Sequence, residues 1–340
     1  MTTLTRTPLL IEAIRTVIDE RELRLQTARD VAETIMDGGA SSAQIAALLV
    51  GLRMKGETVE EILGFATAMR ERSTTIEAPP GAVDPCGTGG DNRGTFNVST
   101  AVAFVAAAAG CPIAKHGNRS VSSKCGSAEL LEALGVDPAR GPEEASIQLR
   151  RSDLCFLFAP RYHEATRHAV EPRRAIGVRS IFNLVGPLTN PAGVKRQLLG
   201  VFDAKWTEPL AHVLRELDSE HCLVVHGNDG LDEISIGDTT RISELKNGRI
   251  DTWVFDPREL GFRFQPLDSI RGGEPADNAA IVLGVLDGKH GAARDIVLLN
   301  AGATLYVGGL AGTIEEGVTR AARAIDDGSA GHLLEEFRRG

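Results

Sequence analysis

The stretch Asp84-Pro-Cys-Gly-Thr-Gly-Gly-Asp-Asn-Arg-Gly-Thr-Phe-Asn-Val-Ser-Thr100 is answered a little later by Lys115-His-Gly-Asn-Arg-Ser-Val-Ser-Ser123. Between them, Ala101–Ala109 is a run of small and apolar residues with one Phe. That order predicts a strand, a glycine loop, a buried helix and a second strand, the alternation of an α/β domain. Asn97 or Ser99 stands near the helix N-cap and Gly110 lies just past its end. Both polar loops offer backbone N–H groups and short hydroxyls in a small volume, which suits a multiply charged phosphate ligand. Neither has the spacing of a dinucleotide fingerprint or a P-loop.

Working outward, the first 75 or so residues read as helices without a strand. Leu10, Ile11, Ile14, Val17 and Ile18 share a helical face. Ser41 with Gln44, and Thr58 with Glu61, form capping boxes for two further helices. Pro79-Pro80-Gly81 reads as a linker. Beyond it, strands are expected at Ala82–Asp84, Pro112–Lys115, Leu154–Phe158, Leu198–Val201, Cys222–His226 and Ile234–Ile236. A hairpin is expected around Asn247-Gly248. Ser127 is read as the cap of a helix over Ala128–Leu134, and Pro172 as a break in a basic helix over Thr166–Arg174. Ile181–Pro191, with two prolines and little period, reads as a crossing connection. Helices close the chain, one of them opened by the capping box Thr313…Glu316.

Composition narrows the function. The 340 residues are 42% apolar and 24% charged, ordinary for a soluble protein large enough for two domains. The net charge of −9 argues against nucleic acid as the main partner. The five cysteines, Cys86, Cys111, Cys125, Cys155 and Cys222, contain no C-x-x-C pair, which fits a reducing cytoplasm rather than a zinc or disulfide framework. No run approaches the roughly 18 apolar residues of a membrane span. The start reads without a secretory signal.

The second loop adds Lys115, His116, Arg119 and Lys124 to Ser120, Ser122 and Ser123, with a helix N-terminus following at Ser127. Cations alternating with serines and glycine suit a phosphate better than a solvated face does. His116 lacks a carboxylate orienter in its own loop, which weighs against a catalytic base. Adjacent carboxylates at Asp232-Glu233, after a strand and a glycine turn, are read as a hard-cation site beside two phosphate loops.

Taken together, Gly87-Thr-Gly-Gly-Asp91, Asn97-Val-Ser-Thr100, Lys115–Ser123, Arg173 ahead of Ile181-Phe-Asn183, Asp232-Glu233, Gly186–Pro191 and Asn278-Ala-Ala280 resemble the anthranilate phosphoribosyltransferase family. The likeness runs over almost the whole chain. It implies an α/β fold with a small all-helical domain, an architecture like that of nucleoside phosphorylases and phosphoribosyltransferases, with the active site in the interdomain cleft. The helical domain would span residues 1–75 with a returning segment at about 172–196, and the large domain 80–171 and 197–340. The reaction implied moves phosphoribose from phosphoribosyl pyrophosphate (PRPP) to the amino group of anthranilate, in tryptophan biosynthesis, in a cytoplasmic homodimer.

By matching motif position, the resemblance gives the PRPP contacts as Gly87, Gly90, Asp91, Thr95, Asn97, Val98, Ser99, Thr100, Lys115, His116, Gly117, Asn118, Arg119, Ser120, Val121, Ser122, Ser123 and Ser127. Ser99, Asp232 and Glu233 would hold two Mg²⁺ ions. Gly87, Asn118 and Arg173 would meet anthranilate, Arg173 pairing its carboxylate. No residue is expected to serve as an indispensable proton acceptor; Lys115 would act electrostatically. Glu171-Pro172-Arg173-Arg174 departs from the family's Pro-Val-Arg-Arg, and Thr166 stands where a Met is expected. Two rivals are a pyrimidine nucleoside phosphorylase-like enzyme, against which the Asp232-Glu233 pair weighs, and a non-enzymatic nucleic-acid-binding relative, which the net charge opposes.

Overall fold

The computed structural model describes residues 6–120 and 124–339. The chain divides into two compact units, one of residues 1–74 with 160–191 and one of residues 75–159 with 192–340.

The first unit is helical: α1 (Arg6–Ile18), α2 (Leu25–Met36), α3 (Ser42–Lys55) and α4 (Val59–Glu71). Both capping boxes form, Ser41 with Gln44 and Thr58 with Glu61. Glu61 is buried, and its carboxylate also accepts from Leu23 N at 2.9 Å and pairs with Lys55 at 3.0 Å. After the first strands of the second unit, the chain returns here with α8 (Ala159–Tyr162), α9 (Arg167–Ile176) and α10 (Ile181–Val185).

The second unit carries β1 (Val83–Gly87), α5 (Val98–Ala108), β2 (Ile113–Gly117), α6 (Ser127–Ala133), α7 (Pro142–Ser152), β3 (Leu154–Phe158), β4 (Arg196–Gly200), α11 (Thr207–Glu216), β5 (His221–Gly227), β6 (Thr240–Lys246) and β7 (Arg249–Phe255). It ends with α12 (Pro275–Leu286), α13 (Ala292–Val307), α14 (Ile314–Asp326) and α15 (Ser329–Arg339). One sheet has the order β3-β2-β1-β4-β5-β6-β7. It is parallel from β3 to β5 and antiparallel across β6 and β7. The hairpin turn is Asn247-Gly248, with φ of 52° and 76°. Helix α5, built of Ala and Val, is buried along most of its length and packs on α13 and β1, so the core surrounds the run read from sequence.

The chain leaves β1 toward β2 and β3 on one side, and later toward β4 and β5 on the other. The carboxyl ends of β1 and β4 are therefore a topological switch point, where open α/β sheets bind ligands. Gly87 of β1 is in register with Gly200 of β4 at that point.

Several sequence expectations change. Strand β1 continues through Pro85 to Gly87 instead of stopping at Asp84. It pairs with β2 only at Val83 and Ile113, so a proline beyond that point costs no ladder bond on that side. Pro172 lies inside α9 without ending it; its ring is buried where α9 packs against α3 and α2, and packing outweighs the missing N–H. Ile181–Val185 is a helix, opened by Ser180 N–H donating to Asn183 Oδ1 at 3.0 Å, and followed by a 3-10 turn at Gly186–Leu188. Ile234–Ile236 is not a strand. Ser127 is the first helical residue of α6, and Gly126 is the cap, its N–H donating to Glu129 Oε2 at 3.1 Å. The returning helical segment runs from 160 to 191 rather than about 172 to 196. Thr74 N–H donates to Tyr162 O at 2.9 Å, and Arg196 already belongs to the sheet. Helices α7 and α15 are additions to the sequence reading, although Pro142 at the start of α7 and Asp327 before α15 are ordinary start signals.

Candidate functional site at the ends of β1, β2 and β4

Past Ile113, β1 and β2 are joined by side chains. The Asp84 carboxylate, fully buried, accepts the His116 N–H at 3.1 Å. The Lys115 ammonium, also buried, donates to Pro85 O at 2.6 Å and to Ser99 Oγ at 3.0 Å. Burial pulls the Lys115 pKa down, while Asp84, Cys86 and Glu233 pull it back up. A buried cation with carboxylates around it keeps its charge at far lower cost than one buried alone. Lys115 thus ties the strand ends to the first turn of α5.

Asn97 caps α5, its Oδ1 accepting from Thr100 N at 3.1 Å, and Val98 and Thr100 are buried below it. The Asn97 N–H donates to Asn278 Oδ1 at 3.0 Å, and its Nδ2 reaches Ser127 Oγ at 3.5 Å. The N-termini of α5 and α6 therefore lie side by side, and the positive ends of their dipoles favour an anion there.

The glycine loop begins with Thr88, whose N–H donates to Gly200 O at 2.9 Å and whose hydroxyl accepts from Phe202 N at 3.1 Å. It returns through Thr95, bridged to Arg271, and through Phe96 N–H, donated to Ile270 O at 3.0 Å. Between these anchors Gly89, Gly90, Asn92 and Gly94 have positive φ.

The turn after β5 brings Asp232 to the same place. Its Oδ2 accepts from Gly89 N at 3.0 Å. A Cβ on Gly200 would lie 1.6 Å from Asp232 O, and one on Gly87 3.1 Å from Asp232 Oδ2, so glycine at 200 is required by this approach. Burial and the Asp91 carboxylate alongside push the Asp232 carboxyl up to about 7. Burial and Asp232 hold Glu233 well above the usual carboxylate range, against the pull of Lys115 and of the Ser99 N–H, which donates to Glu233. Asp91 Oδ2 is a buried acceptor without a hydrogen-bond donor.

Ser99, Lys115, Asp91, Asp232 and Glu233 thus converge at the switch point. Gly117 packs against Phe156, while Asn118 is exposed with its Oδ1 accepting from Arg119 N at 2.7 Å. Arg119 is exposed, paired with Glu132 and Glu129, and stacked 5.8 Å from Phe158. Ser120 N–H donates to Glu129 Oε2 at 3.3 Å. Lys124 pairs with Glu274 at 3.0 Å. Val121, Ser122 and Ser123 lie outside the described residues. Arg173 belongs to the helical unit. It is half-buried over the Phe182 ring at 5.1 Å, burial lowers its pKa, and no ion pair to it occurs among the described residues.

Sequence reasoning missed Asp84 and the part played by Asn278. Each is a polar residue in an apolar strand or helix, and that mismatch was the available signal. Among the described residues, no three His, Cys, Asp or Glu side chains make a metal-holding group.

Two family models match, the glycosyl transferase family helical bundle domain over residues 11–73 and the glycosyl transferase family a/b domain over residues 79–331. The anthranilate phosphoribosyltransferase of Brevibacillus brevis is 52% identical over 331 residues, 97% of each chain. That of Thioalkalivibrio sulfidiphilus is 51% identical over 96% of this chain and 97% of its own. The crystal structure of the Thermus thermophilus enzyme superposes with a TM-score of 0.90 at 41% identity, covering 96% of this chain and 99% of that one. The Saccharomyces cerevisiae enzyme in complex with PRPP and Mg gives 0.88 at 25% identity, over 96% of each chain. Half identity along nearly the full length means that this chain belongs to the anthranilate phosphoribosyltransferase family.

Proposed function

We propose that the ends of β1, β2 and β4 receive PRPP, and that the chain transfers its phosphoribosyl group to the amino group of anthranilate. The products are N-(5-phosphoribosyl)anthranilate and pyrophosphate, a step of tryptophan biosynthesis. The observation that carries this reading is the buried Lys115 ammonium, held at Ser99 on the N-terminus of α5 and facing Glu233. It supplies positive charge where a leaving pyrophosphate accumulates negative charge. Relatives of about half identity support the reading over the nucleoside phosphorylase and nucleic-acid-binding alternatives.

The donor contacts proposed are Gly87, Gly90, Asp91, Thr95 and Asn97–Thr100, Lys115 and His116, the loop Gly117–Ser123, and Ser127. Gly87, Asn118 and Arg173 are proposed for anthranilate; a half-buried guanidinium with no carboxylate partner among the described residues is suited to the acceptor's carboxylate. A positioned aromatic amine attacks the ribosyl carbon as pyrophosphate departs, so positioning and charge suffice without a strong base.

The residues also fit Mg²⁺. Asp232, Glu233 and the Ser99 hydroxyl are oxygen ligands of the kind it takes alongside waters and substrate phosphates. The raised Asp232 and Glu233 pKa values, with the Asp91 carboxylate beside them, mark an excess of negative charge that a cation would relieve. When bound, the ion would offset pyrophosphate charge. Two ions per subunit are proposed.

A homodimer is proposed as well, supported by the exposed Ile18 and Met54 of the helical unit. No helix is long and apolar enough to cross a membrane, and a cytoplasmic location is proposed. The deciding experiment follows anthranilate fluorescence with PRPP, with and without Mg²⁺. Metal-dependent loss of anthranilate is expected, and its absence with folded protein would sink the assignment. Light scattering that gives a monomer mass would remove the dimer alone.

A further inference from the structure

Asp232 and Glu233 project from a turn that has no sheet to hold it. The chain leaves β5 at Gly227 and re-enters regular structure only at β6, Thr240. Between them, Ile234 is fully buried yet belongs to no strand, so its N–H and C=O need partners from elsewhere. Asn300 supplies both. Its Oδ1 accepts the Ile234 N–H at 2.9 Å, and its Nδ2 donates to Ile234 O at 2.9 Å and to Ile296 O at 2.9 Å. Asn300 is itself fully buried in the middle of α13. The amide therefore acts as a one-residue strand, pairing both backbone groups of the residue that follows Glu233.

We infer that Asn300 is a positioning residue for the Asp232-Glu233 pair. It fixes the backbone from which both carboxylates extend, so that they meet a divalent cation without first having to order the turn. The inference rests on the phosphoribosyl-transfer reading above. A core asparagine with every polar atom satisfied resists displacement, because moving the turn would strand two backbone groups and the amide together. The opposite side of the site has a similar device. Asn278 of α12 takes the Asn97 N–H at 3.0 Å and donates its own Nδ2 to Gly273 O at 2.9 Å and Glu274 O at 3.1 Å. Helices α12 and α13 thus each hold one wall of the site by an asparagine side chain clamped on backbone.

The test compares Asn300→Ser with Leu305→Ala, which removes a fully buried side chain from the same helix without touching the clamp. Mn²⁺ is titrated into the full-length protein in the presence of PRPP and followed by electron paramagnetic resonance, with circular dichroism melting of each variant. Asn300→Ser is expected to weaken Mn²⁺ binding by roughly tenfold or more, the range for residues that orient metal ligands. High Mg²⁺ should restore much of its kcat. Leu305→Ala should melt earlier with its Mn²⁺ affinity unchanged. Wild-type Mn²⁺ affinity in Asn300→Ser, or an equal loss in Leu305→Ala, overturns the inference and leaves the function standing. Failure of the wild-type protein to bind Mn²⁺ with PRPP overturns the metal reading and this inference with it. Should Asn300→Ser not fold, amide hydrogen exchange of the unmutated, metal-free protein decides: a protected Ile234 N–H supports the clamp, and exchange at the open-chain rate refutes it.

Discussion

Lys115 and Lys124 belong to one basic stretch of sequence, yet they are different kinds of charge. Lys115 is buried, hydrogen-bonded to Pro85 and Ser99, and surrounded by Asp84 and Glu233. Lys124 is exposed and pairs with an exposed Glu274, and Arg119 between them is paired with Glu132. A buried, partnered cation is held in one position by its surroundings and has a large effect on whatever it faces. An exposed pair competes with water and salt and contributes little. The sequence places all of them on one cationic wall; the fold makes only the first part of it deep.

The sharpest way to break that contrast is Lys115→Met. Removing a preorganised charge from a developing oxyanion costs roughly 10²–10³ in kcat/KM. PRPP-dependent anthranilate consumption should fall by that much, with the variant still folded by circular dichroism. A loss below about tenfold would mean that Lys115 serves the fold rather than the reaction.

Burial acts in the same direction on His163, and there its cost can be measured as stability. Burial pulls the His163 pKa down to about 4, against a hydrogen bond to the Thr189 backbone. The unfolded chain takes up the proton first, near 6.5. Stability is therefore fully present above about 6.5 and is lost as pH falls through about 4, by on the order of 3 kcal/mol. Thermal melts of the wild-type protein against His163→Gln between about pH 4 and 7 should diverge in that window, the variant having the flatter profile. Parallel profiles would show that His163 charges without penalty.

Arg173 stands between these two cases, half-buried with a ring beneath it and no carboxylate among the described ion pairs. A substrate carboxylate would complete it. Arg173→Ala should raise the anthranilate KM by about 10–100-fold, the worth of a charged hydrogen bond, with the PRPP KM nearly unchanged. An unchanged anthranilate KM would show that the acceptor's carboxylate is met elsewhere.

How much of this could be read beforehand follows the range of the interactions. Helix α5 and the glycine loop were legible because their signals are local: a run of small residues, an N-cap Asn, glycines at turns. The Asn247-Gly248 hairpin and the capping boxes of α3 and α4 were legible for the same reason. Pro85 misled because proline forbids a ladder bond only where a ladder exists, and β1 has lost its β2 partner there. Pro172 misled because the packing of α9 outweighs one missing donor. Ile234–Ile236 has the apolar content of a strand, but its backbone partner is a side chain from α13, which no local pattern announces. The site was legible as a set of residue types. Its depth was not, since burial of Lys115 and exposure of Lys124 depend on which strand end or helix each one meets.

The smallest effect is the one that confines the contrast to a single loop. Arg119→Ala and Lys124→Ala each remove an exposed ion pair, and together they should lower kcat/KM by less than about tenfold at moderate salt. What remains should shrink further as ionic strength rises, because exposed charges act over a Debye length of about 10 Å at 0.1 M and are screened beyond it. Lys115→Met should show no such salt dependence, its charge being enclosed by protein. If the double variant lost as much activity as Lys115→Met, Arg119 would have to leave Glu132 and Glu129 for the substrate. The ion pairs of Arg119 and Lys124 would then belong to the resting protein, and the division between deep and superficial cations would describe only that state.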